Sequence, residues 1–490
     1  MNHPDLISDI SVPAWLLPPQ YHTHNWNRSS LINLLYRKQH PDIAYAAGKL
    51  GVWKTEDGGK TFHSMMHGFP TFAYYKKTRN ILLLEKQNLL FAATDGGLYK
   101  CRLDAEEWQQ IPLGTEREKV LKILKVKNTL MAFTPSHVYT SPMPPERIRF
   151  SPAPLIREEK KTTVSLVKLF FDLHNGKVWG LAGKLLFDAA GLIIFFLSIS
   201  AFYTWYFPWQ RRRNKSSTLL TNPHSRKLFK WMFKYHLKIG IWVSAILLII
   251  GGTGLFMRPP LLVALAGKEI SAKFYPGTLE NNQWLEKIQN ALYDAVDDQI
   301  IIQCTDGFWA GAANLKKPFS RKTLSAPVFV MGTTVFEPYG TGGFLVGSFN
   351  GIFHQERATG KAIDILTNKE ASGVRSTRPG KFMVTGYFKT PQGEEFITTH
   401  EQGLLPVSHA TRGQRFQMPN AIKANSTLPL WNYLFEIHNG RFFKNLIGPF
   451  YILIVPLGSL LFVLIILTGI YDWLYQKLLR HKIYERAERR

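Results

Sequence analysis

Three apolar segments constrain this chain more than any other feature. They are "KLLFDAAGLIIFFLSISAFYTWYFPW" (184–209), "IGIWVSAILLIIGGTGLFM" (239–257) and "LIGPFYILIVPLGSLLFVLIILTGIYDWLY" (446–475). A helix needs about 20 mostly apolar residues to cross the hydrocarbon core of a bilayer, and each segment reaches that length. Buried helices of a soluble protein are the alternative, but Trp and Tyr at the segment ends favour membrane spans. The sequence therefore predicts three transmembrane helices in a lipid bilayer.

The positive charge of the chain is concentrated beside these segments. The formal net charge is +25, and nine Lys/Arg with no acidic residue lie between Arg211 and Lys238. Six more Lys/Arg, with two Glu, follow Tyr475. Cytoplasmic loops of membrane proteins carry this excess of Lys and Arg. The charge therefore sets the topology and requires no nucleic acid as a partner.

This topology predicts a multi-pass protein of the bacterial cytoplasmic (inner) membrane. An exported N-terminal region needs a signal peptide or a span before it, and residues 1–40 contain neither. We therefore expect a fourth, N-terminal span upstream of Met1. The predicted layout is an extracytoplasmic first half (1–165), a first span with the motif ahead of it (166–209), a basic cytoplasmic loop (210–238), a second span (239–258), an extracytoplasmic second half (259–430), a motif with the third span (431–475) and a basic cytoplasmic tail (476–490).

The two exported regions contain six copies of a hairpin pattern. Each copy has an apolar strand, a turn with Gly or a small polar residue, and a strand rich in β-branched or aromatic residues. A spacing of roughly 40 to 50 residues is typical of propeller blades. We predict one mostly-β, propeller-like extracytoplasmic domain built from both regions, with two smaller β-sheet domains as the alternative. The copies lie at 44–62, 90–108, 130–141, 301–311, 344–355 and 396–407.

The first hairpin contains "TEDGGKTF", which resembles the Asp-box of sialidase-type propellers. The resemblance implies that Thr55, Asp57, Gly59 and Phe62 form a hairpin turn with a structural role.

A seven-residue motif containing histidine occurs twice, each time ahead of an apolar span. "FDLHNGK" covers 171–177 and "FEIHNGR" covers 435–441. The topology puts His174 and His438 at the outer face and His236 at the cytoplasmic start of the second span. Imidazole is a ligand for iron, and two imidazoles on facing helices can hold a b-type haem without covalent attachment. The alternative is that these are interfacial histidines bonded to headgroups or carbonyls.

The segments around these histidines resemble the PepSY-associated transmembrane family. The similarity lies in "LHNGKVWGLAGKLLFDAAGLIIFF", "HLKIGIWVSAILLIIGGTGLF" and "IHNGRFFKNLIGPFYILIVPLGSLLFVLIILTGIYDW". It implies four spans, and it implies a cytoplasmic-membrane reductase for ferric siderophores with haem b between span histidines. His174 and His438 match the outer axial ligands of haem iron. His236 matches an inner ligand, whose partner the missing span would supply.

Two functions remain open. One is an oxidoreductase that carries haem and passes electrons from a quinone or protein donor to an exported acceptor such as a ferric siderophore. The other is a non-redox, membrane-anchored propeller that binds a ligand or serves as an accessory protein in uptake. His174 precedes the apolar run of the first span by about ten residues, which is up to roughly 15 Å along a helix, so we expect it to lie above the bilayer.

Few other residues indicate chemistry. Cys101 and Cys304 are the only cysteines, so the chain has no CxxC or CxxCH motif, and their pairing is left open. Walker A, GxSxG and HExxH motifs are also missing from the sequence. The HTH and HSMMH stretches contain His22, His24, His63 and His67. Exposed loop histidines are the commoner interpretation of these, with metal binding as the alternative.

Overall fold

The structure is a computed structural model, and it describes residues 26, 30–114, 117–143, 148–158, 163–213, 223–277, 282–371, 379–408, 416–424 and 430–475. The chain divides into two compact units. The β-domain combines Met1–Lys161 with Glu280–Leu434, and the helical unit combines Thr162–Leu279 with Phe435–Arg490. The two β-repeat regions therefore fall in one compact unit.

Among the described residues, six antiparallel sheets make up the β-domain, and the strands of each sheet follow one another in chain order. Sheet one contains β1 (Asn33–Tyr36), β2 (Ala44–Gly48), β3 (Gly51–Thr55) and β4 (His63–Ser64). Sheet two contains β5 (Thr78–Leu84), β6 (Leu89–Thr94), β7 (Gly97–Arg102) and β8 (Trp108–Ile111). Sheet three contains β9 (Lys122–Val126), β10 (Thr129–Phe133), β11 (Val138–Pro142) and β12 (Ser151–Ala153).

A two-stranded ribbon of the helical unit follows, with β13 (Thr163–Ser165) paired to β14 (Glu269–Ser271). Sheet four contains β15 (Ile288–Asp294), β16 (Gln299–Cys304), β17 (Gly307–Ala312) and β18 (Ser320–Lys322). Sheet five contains β19 (Val335–Tyr339), β20 (Gly343–Ser348), β21 (Gly351–Glu356), β22 (Ala362–Asp364) and β23 (Lys369–Glu370). Sheet six contains β24 (Val384–Lys389), β25 (Glu395–Thr399) and β26 (Gly403–Pro406).

All six predicted hairpins are present, one in each sheet. Tight turns join their strands, and five of the six turns end on a glycine with positive φ: Gly51, Gly97, Gly307, Gly351 and Gly403. A residue with a Cβ rarely adopts that backbone conformation. The turn glycines were thus a valid signal for five of the six hairpins, and the β10–β11 turn has small polar residues in their place.

Neighbouring sheets contact one another through their first strands. β1 contacts β5, β5 contacts β9, β9 contacts β15, β15 contacts β19, β19 contacts β24, and β24 contacts β1. The six sheets therefore follow one another in a cyclic order. The interior between sheets is apolar, and one core cluster mixes Phe133 and Val138 of sheet three with Trp309 of sheet four.

The junction between sheets three and four depends on a buried arginine. The Arg157 guanidinium lies 4.0 Å from the Trp284 ring and 4.3 Å from the Trp309 ring, and its Nη1 donates to Asp306 at 2.6 Å. Its side chain is 3% exposed. Because Arg157 precedes the helical unit in the chain and its partners follow it, this contact joins the two halves of the β-domain. Cys304 lies in the same cluster as a free thiol; Cys101 is also a free thiol and belongs to a different cluster.

The turn after β3 is held by its own side chains. Thr55 Oγ1 accepts from the Gly59 backbone N–H at 2.9 Å, and Asp57 Oδ1 accepts from the Thr61 N–H at 2.9 Å. Hydrogen bonds from Thr61 lower the pKa of the Asp57 carboxyl from its usual value. Phe62 packs against the core cluster that joins sheets one and six.

The helical unit contains long helices and short connecting ones. Its helices, together with the short helices at the end of the β-domain, are α1 (Leu166–His174), α2 (Gly180–Arg213), α3 (Pro223–Gly254), α4 (Leu261–Leu265), α5 (Asn420–Ala424), α6 (Leu430–His438), α7 (Lys444–Ile447) and α8 (Ile454–Leu474). Within the described part of the chain, three apolar helical segments are long enough to cross a membrane, Lys177–Arg213, Pro223–Gly254 and Gly448–Leu474. This agrees with the three predicted spans.

The helix bounds differ from the predicted ones in two places. The segment 210–238 was predicted as a loop, but its described parts are helical: α2 continues to Arg213 and α3 begins at Pro223. Basic residues are good helix formers, so the helices extend past the apolar stretches. The first span is also not continuous with its motif, because α1 ends at His174 and α2 begins at Gly180. The basic tail, 476–490, lies outside the described residues.

Replacing Arg157 by Ala is expected to destabilise the β-domain by about 3 kcal/mol, since the change leaves Asp306 buried with only Lys287 as its cation and opens a space between two Trp rings. The unfolding midpoint, followed by Trp fluorescence, should fall. The control is Arg102→Ala, which removes an exposed pair with Asp104 and should leave the midpoint unchanged. Equal midpoints for both variants would show that the junction does not depend on Arg157.

Candidate functional site

The two motif histidines lie side by side in the helical unit. The ring centroids of His174 and His438 are 6.5 Å apart, with an angle of 48° between the ring planes. The residues are separated by 264 positions in the chain, so only the tertiary structure brings them together. Their proximity agrees with the pairing that the duplicated motif predicted.

Both copies of the motif fold in the same way. A short helix ends on the histidine, the next Asn accepts a backbone N–H two residues on, and the following Gly adopts the left-handed conformation. Asn175 Oδ1 accepts from the Lys177 N–H at 2.9 Å, and Asn439 Oδ1 accepts from the Arg441 N–H at 2.9 Å. One turn of 3₁₀ helix then follows in each copy. The seven-residue motif therefore ends a short helix on a histidine and, through a tight turn, starts the next helical segment.

The turn glycines are required for two separate reasons. Gly176 has φ 74° and Gly440 has φ 77°, a region that disfavours residues with a Cβ. A Cβ on Gly176 would also lie 2.5 Å from the carbonyl oxygen of Gly183, and one on Gly440 would lie 3.1 Å from the Cβ of Ile454. The turn thus allows the short helix to pack closely against the helix after it.

The second span fixes the ring of His174. Its Nδ1 lies 3.0 Å from the carbonyl oxygen of Ile250 and 3.1 Å from Thr253 Oγ1, both near the end of α3. Because a carbonyl oxygen only accepts hydrogen bonds, Nδ1 carries the proton and Nε2 keeps a lone pair. His174 therefore does not stand 15 Å beyond the spans. The turn folds α1 back onto α3, a geometry that a continuous helix does not allow.

His438, at the end of α6 and ahead of the third span, completes the pair. Among the described residues, no hydrogen bond engages either of its ring nitrogens, and its side chain is exposed. Metal–imidazole bonds are about 2 Å long, so two rings on opposite sides of one ion have centroids roughly 6 Å apart. The observed 6.5 Å fits this spacing. The anchored ring of His174, the unengaged ring of His438 and the separation between them fit the axial ligands of a haem.

His236 lies in the N-terminal half of α3 (Pro223–Gly254). Its Nδ1 is 2.8 Å from Ser200 Oγ, which donates its own proton to the Leu197 carbonyl at 3.0 Å. Ser200 therefore accepts from His236, whose Nε2 keeps a lone pair. Fourteen residues separate His236 from Ile250, which is about 21 Å along a helix. His236 is thus remote from the outer pair, as predicted.

Sequence reasoning missed a polar group beside the outer pair. The Arg258 guanidinium lies 5.9 Å from the ring centroid of Tyr451, and its buried Nε has no hydrogen-bond partner among the described residues. Arg441 Nη1 is 3.2 Å from Glu436. Arg441 is the last residue of the repeated motif, but the sequence analysis considered only the histidine of that motif. Arg258 follows an apolar stretch and carries no sequence signal.

The remaining candidates do not form metal sites in the described part of the chain. His63 lies 3.4 Å from Glu106, and His67 lies 3.8 Å from Glu107. His22 and His24 fall outside the described residues. No group of three His, Cys, Asp or Glu side chains with metal-binding geometry occurs among the residues that the structure describes.

Gly176→Ala is expected to destabilise the helical unit by about 1–3 kcal/mol, through backbone strain and the contact with Gly183. Thermal unfolding of the detergent-solubilised protein measures the change. Gly191→Ala is the matched control, because a Cβ at Gly191 in α2 meets no atom within 4 Å. A midpoint for Gly176→Ala equal to that of the control would contradict the proposed strain.

Comparison with solved structures finds similarities that are low in score. The extracellular domain of the putative hybrid two component system BT4673 from B. thetaiotaomicron matches with a TM-score of 0.38 and 9% identity, over 79% of this chain and 40% of that one. PorZ, a surface component of the type-IX secretion system of Porphyromonas gingivalis, matches with a TM-score of 0.32 and 11% identity. The match covers 80% of this chain and 33% of PorZ. YCF48 bound to D1 peptide matches with a TM-score of 0.35 and 8% identity, over 82% of this chain and 90% of that one.

The chain thus spans about two fifths of the length of the extracellular domain of BT4673. No curated protein sequence matches the chain significantly. The family model described as PepSY-associated TM region matches residues 206–476, more than half of the chain, and the match includes His236 and His438 but begins after His174. The chain is a multi-pass membrane protein with a β-rich soluble domain on one side of the membrane, and it belongs to the PepSY-associated TM family.

Proposed function

We propose that this chain binds haem b through His174 and His438 and transfers electrons across the cytoplasmic membrane to an exported acceptor such as a ferric siderophore. The observation that carries the proposal is the pair of imidazoles 6.5 Å apart, with one ring fixed by the Ile250 carbonyl. Bis-imidazole haem supplies one-electron redox chemistry at a potential that its surroundings tune.

The residues around the pair are suited to this role. The Ile250 carbonyl and Thr253 hold the His174 ring in the tautomer that leaves Nε2 available, and a partner on the other ring nitrogen increases the basicity of a ligand histidine. Arg258 and Arg441 supply positive charge that suits carboxylate groups on a bound cofactor.

His236 is the proposed ligand of an inner haem, on the cytoplasmic half of α3. The Ser200 hydrogen bond orients its ring as the Ile250 carbonyl orients His174. No second histidine contacts His236 among the residues that the structure describes, so the inner haem requires a further ligand. The electron donor in this proposal is a membrane quinone or another protein.

The cyclic order of the six sheets supports the further inference that the β-domain is a six-bladed propeller. The hydrogen bonds within the turn at Thr55, Asp57 and Gly59, with Phe62 packed in the core, support its interpretation as an Asp-box. In this interpretation, the four residues stabilise one blade and take no part in the chemistry.

A non-redox function is the second candidate, in which a membrane-anchored propeller binds a ligand or serves as an accessory protein in uptake. One observation favours it. The Asn–Gly turn after each histidine explains the repeated motif as a helix entry, without any ligand.

Absorption spectra of the purified, haem-replete full-length protein, oxidised and then reduced with dithionite, distinguish the two functions. We expect a sharp α band after reduction, lost in His174→Ala and in His438→Ala because each removes one axial ligand. His63→Ala is the control and should keep the band, since His63 is an exposed residue of the β-domain. His236→Ala should keep the outer signal. A spectrum without haem bands in the wild-type protein would exclude the redox function and leave the accessory one.

A further inference from the structure

A partly buried lysine in the β-domain has no anionic partner. Lys77 immediately precedes β5, and its carbonyl oxygen accepts from the Asp95 backbone N–H at 3.0 Å. Among the described residues, no carboxylate pairs with its ammonium group. Burial, and then the neighbouring Arg79, lower the pKa of Lys77 to about 8. Since an unpaired buried charge is costly, this position requires an explanation.

Sheet four has a lysine at the corresponding position, and that lysine has a carboxylate partner. Thr78 of β5 pairs with Thr94 and, in sheet four, Ile288 of β15 pairs with Cys304; both strands have a register shift at the next step. Lys77 in sheet two therefore corresponds to Lys287 in sheet four. The Nζ of Lys287 lies 3.5 Å from Asp306, in the turn between β16 and β17.

The corresponding turn of sheet two lacks that carboxylate. Since Gly97 and Gly307 both end their turns, the position of Asp306 is taken by Gly96. A Cβ on Gly96 would lie 2.6 Å from the Cβ of Tyr75, so the packing of Tyr75 excludes an aspartate there. Sheet two thus retains the lysine and loses its counter-ion.

The one acidic residue of the turn is already engaged. Asp95 accepts from Arg79 Nε and from its Nη2 at 3.1 Å, and Lys119 Nζ lies 3.9 Å from the same carboxylate. The Val120 N–H bonds to the Thr94 carbonyl at 2.9 Å, which holds Lys119 beside this turn. Arg79 and Lys119 therefore share one carboxylate, and the bidentate arginine takes most of its capacity.

We propose that Lys77 and Lys119 form a binding site for a small, multiply charged oxyanion that bears carboxylate or phosphate groups. The Arg79–Asp95 pair holds the turn in place, and the two lysines provide the ammonium groups that bind the anion. Tyr74, whose side chain is 49% exposed, and Tyr75 flank the turn and supply phenol groups as further donors. This site does not depend on the proposed haem function.

Calorimetric titration of the full-length protein with citrate and with inorganic phosphate, at constant ionic strength, tests the proposal. We expect saturable binding of at least one of the two anions, and Lys77→Met should weaken it by about tenfold or more. Lys287→Met is the matched control and should bind like the wild type, because Lys287 is satisfied by Asp306. Citrate binding without phosphate binding would assign a carboxylate ligand, and the reverse would assign a phosphate.

Thermal unfolding without added anion gives an independent readout. Lys77→Met removes an unpaired cation, so its midpoint should lie above that of the wild type, whereas the wild type alone should gain stability from the anion. The affinity should also fall from neutral pH to about pH 9.5, as Lys77 loses its proton. Absence of binding by both anions, or equal affinities of Lys77→Met and the wild type, would overturn the proposal.

Discussion

The β-domain depends on the junction between sheets three and four, which joins two parts of the chain that the helical unit separates. Sheets one to three precede the residues Thr162–Leu279 of the helical unit and sheets four to six follow them, yet all six belong to one compact unit. The closing contact is Arg157, between two Trp rings and against Asp306. A buried guanidinium requires a counter-charge, and Asp306 supplies it at 2.6 Å from Nη1. The junction is therefore specific, because an apolar contact alone would not select this pairing of strands.

The duplicated motif places a histidine beside the second span through a turn that its own Asn and Gly residues form. An Asn cap and a left-handed Gly end a short helix and start the next one, so a histidine at the helix end is turned back toward the second span. Two copies of this device bring two imidazoles to one place. The carbonyl of Ile250 then selects the tautomer of His174. The helix entry and the candidate ligand pair are thus two consequences of the same backbone geometry.

Sheets two and four show how a repeated scaffold acquires different chemistry. Their inner strands have the same register and the same lysine, but sheet four neutralises that lysine with Asp306 while sheet two has Gly96 in its place. Tyr75 occupies the space that an aspartate would need. The structural lysine of one sheet thereby becomes an unpaired cation in the other, which is a property of the local packing and not of the lysine itself.

The sequence by itself determined the three spans and the six hairpins, because hydrophobic length, Gly-containing turns and strand alternation are local properties. It also identified His174 and His438, since the motif is repeated in full. Only the tertiary structure decided that these rings lie 6.5 Å apart. The sequence likewise did not predict the helix start at Pro223 or the role of Arg157. Nor did it predict that, among the described residues, Arg258 Nε and the Lys77 ammonium group have no partner. Each depends on which distant side chain meets a given group, and that distance is set by packing between elements far apart in the chain.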